Sequence, residues 1–283
     1  AGTKDEFEKI LNLLSDPALR LGGGSSKGFG ALAINDIKWG EFDLCNYKSS
    51  LNDSPEGFVN FDLKSKPNEN FLRYELSIAA DDFFMFGSGF GDADADHTPV
   101  TESVVDYETK ELSKQKILIP ASSIKGALSH RTAFHYNKIK KEFENDGKVG
   151  SENKAVREIF GYEKNKNENG AKGKILISDC FLNYKPSNET KVFEHVSIDR
   201  FTGGAIDAAL FQEKAAAKKD KFTIEILLRN GMSDDALRAF EQSLDDVVKG
   251  RLSLGGATTK GYGFFKGEAT KNSEELELKN EKK

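Results

Sequence analysis

The residues with the clearest chemical potential form a glycine loop late in the chain, Gly255-Gly256-Ala257-Thr258-Thr259-Lys260-Gly261-Tyr262-Gly263. Glycines permit positive φ and close backbone approach, while the threonines and Lys260 add donors and charge. That set suits a phosphate group. It is not a Walker loop, because the Gly-x-x-x-x-Gly-Lys-Ser/Thr spacing is absent. The same residues would also serve as a plain tight turn between helix and strand. A second copy favours the cradle: Leu21-Gly22-Gly23-Gly24-Ser25-Ser26-Lys27-Gly28-Phe29-Gly30 matches Leu254 to Gly263, hydroxyls and lysine included. Upstream, Phe7, Leu11, Leu14 and Leu19 fall on Phe240, Leu244, Val247 and Leu252 in the same register. A mere turn needs fewer fixed residue types.

Two further motifs carry donors. Ile119-Pro120-Ala121-Ser122-Ser123-Ile124-Lys125-Gly126 places two hydroxyls and a lysine at a predicted helix N-terminus, where backbone amides suit a phosphate. Arg131, His130 and His135 follow on the same helix. Plain capping by Ser122 or Ser123, with Lys125 and Arg131 solvated, is the competing reading. In His195-Val196-Ser197-Ile198-Asp199-Arg200-Phe201-Thr202-Gly203-Gly204-Ala205, an arginine and an aromatic beside a Gly-Gly hinge would grip a backbone or wedge between bases. A salt-bridged hairpin from Asp199 to Arg200 with a core phenylalanine is the alternative.

The elements that must position these residues follow from periodicity. Each loop copy is preceded by an amphipathic helix and followed by a short strand. The pattern places residues 1–35 as the closing end of one module, 36–70 as a linker rich in Asn, Asp, Ser and Gly, and 71–268 as a second, complete module. A charged tail over 269–283 is expected to be mobile. Within the second module, strands are predicted at Phe71–Ile78, Ile117–Ile119, Lys174–Leu182 and Phe222–Leu228. Helices are predicted from Ser122 or Ser123 to about Phe143, over Lys154–Phe160 and over Asp234–Val248. Residues 185–221 fit neither a sheet nor a packed helix and are expected to leave the core. The order strand, helix, strand, strand, helix, strand is that of an α+β, ferredoxin-like split βαβ fold.

Composition narrows the function classes. The 283 residues are 37% hydrophobic and 31% charged, an ordinary water-soluble balance. No apolar run approaches the roughly 20 residues a bilayer requires, so no membrane partner is expected. Two lone cysteines, Cys45 and Cys180, imply neither a disulfide framework nor a zinc site and suggest a reducing cytoplasm. The net charge of −5, from 41 basic and 46 acidic residues, argues mildly against nucleic acid. Local placement decides, since a basic groove can coexist with acidic faces.

Taken together and in this order, Phe86-Gly87-Ser88-Gly89, the Ile119–Gly126 motif, Ile198-Asp199-Arg200-Phe201-Thr202-Gly203-Gly204 and the Leu254–Gly263 loop resemble the RAMP superfamily of CRISPR-associated proteins. The chain looks most like the repeated backbone subunits of type III effector complexes, and its two similar ends resemble tandem fusions of such subunits. The resemblance covers about Phe71 to Glu268. It implies an RRM-like core, a protruding thumb at 185–221, and a palm that holds guide crRNA paired with complementary target RNA, next to other RAMP subunits. The thumb of such subunits kinks the guide–target duplex. Implied RNA contacts are Ser122, Ser123, Lys125, Arg131, Arg200, Phe201, Gly255, Gly256, Thr258, Thr259, Lys260 and Gly261.

The same family implies a catalytic aspartate after the first strand, cutting target RNA beside the kink with a divalent metal. Here that loop carries Asp92, Asp94 and Asp96, followed by His97. Asp92 and Asp94 are the expected ligands of Mg²⁺ or Mn²⁺, since such ions favour carboxylates and waters. Three other readings stand beside this one. The subunit clamps RNA without cutting it; or it is a stand-alone RAMP endoribonuclease processing guide precursors through His130, His135 or His195; or the glycine loop binds a small nucleotide.

Overall fold

The computed structural model describes residues 3–32, 34, 36–40, 58–63, 70–106, 109–142, 148–166, 168–217, 220–276 and 278. The chain divides into two units, residues 1–25 with 29–69, and residues 26–28 with 70–283.

In the first unit, helix α1 (Lys4–Leu13) opens on a capping box. The Glu6 amide donates to Thr3 Oγ1 at 3.3 Å and the Thr3 amide donates to the Glu6 carboxylate at 2.8 Å. Phe7 lies 6.2 Å from the Trp39 ring. Lys38–Trp39 pairs with Val59–Asn60, so the predicted linker contains at least this short ladder. The rest of that linker, with Cys45, lies largely outside the described residues.

The second unit is built on an antiparallel sheet. Strand β1 (Phe71–Ala80) alternates buried Tyr74, Leu76, Ile78 and Ala80 with more exposed residues, as a sheet covered on one face demands. Strand β2 (Lys116–Ile119) leads into helix α2 (Ala121–Lys140), followed by α3 (Lys154–Phe160). Next come β3 (Ile175–Ile177), β4 (Cys180–Leu182), β5 (Thr190–Ile198), β6 (Ala205–Ala216) and β7 (Phe222–Arg229). Helix α4 (Asp234–Val248), β8 (Phe265–Lys271) and β9 (Glu274–Glu275) close the unit.

The main sheet has the order β3–β7–β1–β8–β9, every neighbour antiparallel. Ile124 and Leu128 of α2 share one core with Phe240, Leu244 and Val247 of α4 and the buried residues of β1 and β7. Tyr74 crosses that core edge-on to Phe240 at 5.6 Å, and its hydroxyl donates to Glu241 at 2.8 Å. Burial and the Glu241 charge push the Tyr74 phenol far above its usual range.

Four expectations change. Lys174–Leu182 is not one strand: Asp179 interrupts it, β3 joins β7, and β4 joins β2. The reason is local, since the Asp179 carboxylate accepts the Ala121 amide at 2.7 Å and thereby caps α2. Ser122 and Ser123 consequently lie inside the first turn, and the N-cap is Pro120 with no side-chain bond. Residues 190–216 are not devoid of sheet: β5 and β6 pair as a long two-stranded ribbon. Its exposed residues on both faces weaken the alternation that normally marks a strand. Finally, the module does not stop at Glu268, because β8 runs to Lys271 and turns back as β9.

Candidate nucleic-acid interface

The two glycine loops have the same backbone. Gly22, Gly24, Gly28 and Gly30 take φ of 84°, 71°, 99° and 81°, and Gly255, Ala257, Gly261 and Gly263 take 94°, 55°, 89° and 77°. Each encloses a three-residue 3₁₀ turn, Ser25–Lys27 and Thr258–Lys260. Each closes alike, by Leu21 N–H to the Gly30 carbonyl at 3.0 Å and Leu254 N–H to the Gly263 carbonyl at 2.8 Å. A β-carbon on Gly263 would lie 2.1 Å from the Leu254 oxygen, and one on Gly30 equally close to the Leu21 oxygen. The glycines thus answer to steric closure.

Several amides expected to face a phosphate are already engaged. Gly256 N–H donates to Met85, Lys260 N–H to Ala257 and Gly261 N–H to Thr258. What the loop offers outward is the partly exposed Thr258, Thr259 and Lys260 side chains. The burial of the two copies differs. Phe240, Leu254 and Tyr262 are buried, whereas their counterparts Phe7, Leu21 and Phe29 are exposed; Leu11, like Leu244, is buried.

From Gly256 a hydrogen-bonded path leads to the second motif. Gly256 meets Met85, Val100 N–H meets the Phe86 carbonyl, Leu118 N–H meets the Val100 carbonyl, and β2 delivers Ala121. In the first turn of α2, Lys125 is half-buried, and its pKa is lowered by burial and then by the like charge of Lys172.

The ribbon is clasped at its base. On one side, Glu213 of β6 is buried, and its Oε2 accepts from Lys260 Nζ at 2.8 Å. Burial first, then the Glu213 charge and hydrogen bond, push the Tyr262 phenol up to about 12. Phe83, Phe193 and Tyr262 pack as an aromatic cluster alongside. On the other edge the aspartate loop runs beside β6: the Asp96 and His97 amides donate to the Gln212 carbonyl, and Lys214 N–H donates to the His97 carbonyl. At the far end Asp199 turns the chain, accepting the Phe201 amide at 2.9 Å and the Thr202 hydroxyl at 2.9 Å. That leaves the Phe201 ring 98% exposed. Arg200 and Phe201 are therefore remote from the ribbon base, by about 20 Å at 3.3 Å per strand residue.

The three aspartates divide their work. Lys214 Nζ reaches Asp92 Oδ2 at 2.6 Å and Asp94 Oδ2 at 2.8 Å. Asp92 Oδ1 accepts the Asp94 and Ala95 amides, and its pKa is lowered, first by the Lys214 hydrogen bond. Asp96 instead accepts the Gln212 amide at 2.7 Å. Among the described residues, no group of three or more His, Cys, Asp or Glu side chains is arranged to hold a metal. With an ammonium bridging them, Asp92 and Asp94 do not fit Mg²⁺ or Mn²⁺ in this arrangement.

Arg131 is placed elsewhere. Its Nε meets Asp246 Oδ2 at 2.5 Å and its guanidinium lies 4.6 Å from the Phe134 ring. His135 Nε2 donates to the same oxygen at 2.7 Å, and Arg251 reaches the other at 3.0 Å. Burial lowers the His135 pKa despite Asp246. This is a joint between α2 and α4. His130 and His135 lie on α2 and His195 on β5. The residues that sequence reasoning missed are Glu213 and Lys214. They fell in a segment read as lacking sheet, and only the strand period of β6 would have exposed them.

A family model of the RAMP superfamily matches residues 84–266, and the chain belongs to that superfamily. No curated protein is significantly similar to it. Membership points to a CRISPR-associated, RNA-binding role with other Cas proteins as partners. No helix among the described residues is long and apolar enough to cross a membrane.

Proposed function

We propose that this protein is a guide-RNA-binding backbone subunit of a type III CRISPR effector complex. The observation that carries the proposal is the clasped ribbon. A β-hairpin is fixed at its base to the glycine loop through Lys260 and Glu213, and presents Arg200 and an exposed Phe201 at its tip. The sheet order supports a ferredoxin-like module with this ribbon as its thumb. The palm is the surface of Lys125, Ser122, Ser123, Thr258, Thr259 and Lys260, and the tip kinks the guide–target duplex by placing Phe201 between bases. Guide sequence varies, so the contacts are to backbone.

The exposed apolar residues of α1 and the first loop, at positions buried in the second copy, support reading residues 1–35 as the end of another RAMP module. This agrees with a tandem arrangement of subunits.

Target cleavage at Asp92 and Asp94 is the finer part of the proposal. The Lys214 bridge favours the other reading, a clamp that binds without cutting, because one ammonium already occupies the space between the two carboxylates and offsets half of their charge. The guide-loaded complex decides. Loss of one cut in Asp92→Ala, with target binding retained, assigns cleavage here; an unchanged cutting pattern leaves the clamp. RNA failing to co-purify with the assembled subunit would refute the RNA-binding role itself.

A further inference from the structure

At the base of the ribbon, the buried acid that clasps Lys260 has a second oxygen to which the RNA-binding role gives no task. Glu213 is 4% exposed, and only its Oε2 is matched to a cation, Lys260. Its Oε1 is buried with no hydrogen-bond partner among the described residues, and so is Nε2 of His195. These two atoms face each other across the ribbon at 3.9 Å, too far for a hydrogen bond yet close enough for small side-chain movements to make one. The imidazole is held there by stacking on Phe211, with ring centroids 4.9 Å apart and 26° between planes.

Lys260 cannot serve Glu213 and a phosphate equally well. If its ammonium swings out to RNA, a buried carboxylate loses the one cation that pairs with it among the described residues, and an uncompensated buried charge is strongly disfavoured. The nearest group able to replace that cation is His195. The other charged or titratable groups around this spot are poorly placed for the task. Tyr262 stands close to Glu213 but its neutral phenol brings no positive charge, Lys191 lies over Phe83 and Phe193, and His97 meets the edge of Phe211. Lys214 is held by Asp92 and Asp94.

We infer that RNA binding through Lys260 is coupled to proton uptake by His195, with Glu213 as the relay between them. Lys260 leaves Glu213 for a phosphate oxygen; one proton passes from the buffer to the imidazole; and Nε2–H then donates to Glu213 Oε1. The protonated ring gains a cation–π contact with Phe211 in the same position. Glu213 and His195 act as positioning residues for Lys260. The inference rests on the proposed RNA-binding role of Lys260.

By linkage, an affinity that takes up one proton falls up to tenfold for each unit rise in pH. The test is titration calorimetry of the full chain with a mixed-sequence single-stranded RNA near pH 7, in two buffers of different ionisation enthalpy. The expected result is buffer-dependent heat corresponding to uptake of up to one proton by the wild type, and none in His195→Asn or Glu213→Gln. Equal heats in both buffers for the wild type overturn the coupling alone. Uptake that persists in His195→Asn overturns the assignment to His195 and moves the proton to Glu213. Absence of RNA binding by the wild type overturns both the coupling and the RNA-binding role. His195 is partly exposed, so its replacement tests the idea even where Glu213→Gln fails to fold.

Discussion

Replacing Arg131 by alanine separates a structural role from an RNA contact. Its guanidinium is about three-quarters buried, bonds Asp246 and covers Phe134. A hydrogen bond to a charged partner contributes about 1.5–3 kcal/mol. Asp246 keeps His135 and Arg251, so the loss belongs at the lower end of that range. For a unit of this size, each kcal/mol moves Tm by about 2–4 °C, which gives a drop of roughly 3–6 °C. A double-mutant cycle with Asp246→Asn should return coupling of about 0.5–3 kcal/mol. Acid should act on the same joint. Burial opposes charge on Asp246, but the bonds from His135 and Arg131 prevail and lower its pKa; the His135 pKa is lowered by burial. Both groups therefore bind protons more readily when unfolded. Their contribution is complete above the unfolded values, begins to fall below about pH 6.5 as His135 charges on unfolding, and falls further below about pH 4 through Asp246. Thermal melts against pH, with RNA binding measured in parallel, decide the matter. An unchanged Tm together with an RNA salt slope reduced by about 0.7 would refute this reasoning and make Arg131 a phosphate contact.

Three further outcomes follow from the geometry. Gly263→Ala should lower the unfolding free energy by at least about 1–2 kcal/mol, because an alanine at that positive φ also drives its β-carbon toward the Leu254 oxygen; an unchanged denaturant midpoint would contradict it. Burial pushes the Cys180 thiol up to about 11, so in a Cys45→Ser background alkylation at pH 8 should be slow until the protein unfolds. Rapid modification of the native protein would place Cys180 at the surface. Lys214→Gln should loosen the aspartate loop from β6, read as faster amide exchange at Asp94 and Ala95, and equal exchange would show that the backbone bonds alone hold it.

The parts of the fold that could be read from the sequence are those with an unambiguous period. Helix α4 occupies Asp234–Val248 as expected, and α3 occupies Lys154–Phe160, because apolar residues recur at helical spacing and each begins after a polar N-cap residue, Ser233 or Asn153. The loop repeat was legible because a positive-φ backbone restricts residue choice, and Ala257 occupies such a position where the first copy has Gly24. The ribbon was not legible, since apart from its buried base at Glu213, Ala215 and Ala216 the hairpin stands away from the core and has no buried face to impose alternation. Nor could sequence show that Lys214 would meet Asp92 from 122 residues away, or that Asp246 would claim Arg131 from 115 residues away. Those pairings are set by tertiary packing, to which residue type and spacing give no access.

The central claim is that Lys260 and its neighbours bind RNA through the backbone. Fluorescence anisotropy of two single-stranded RNAs of unrelated sequence, titrated with the full chain over a range of salt, tests it most directly. The account predicts equal affinities for both sequences, affinity falling with salt, and a slope smaller by about 0.7 in Lys260→Ala. Affinity that follows sequence, or a salt slope unchanged in Lys260→Ala, would contradict it.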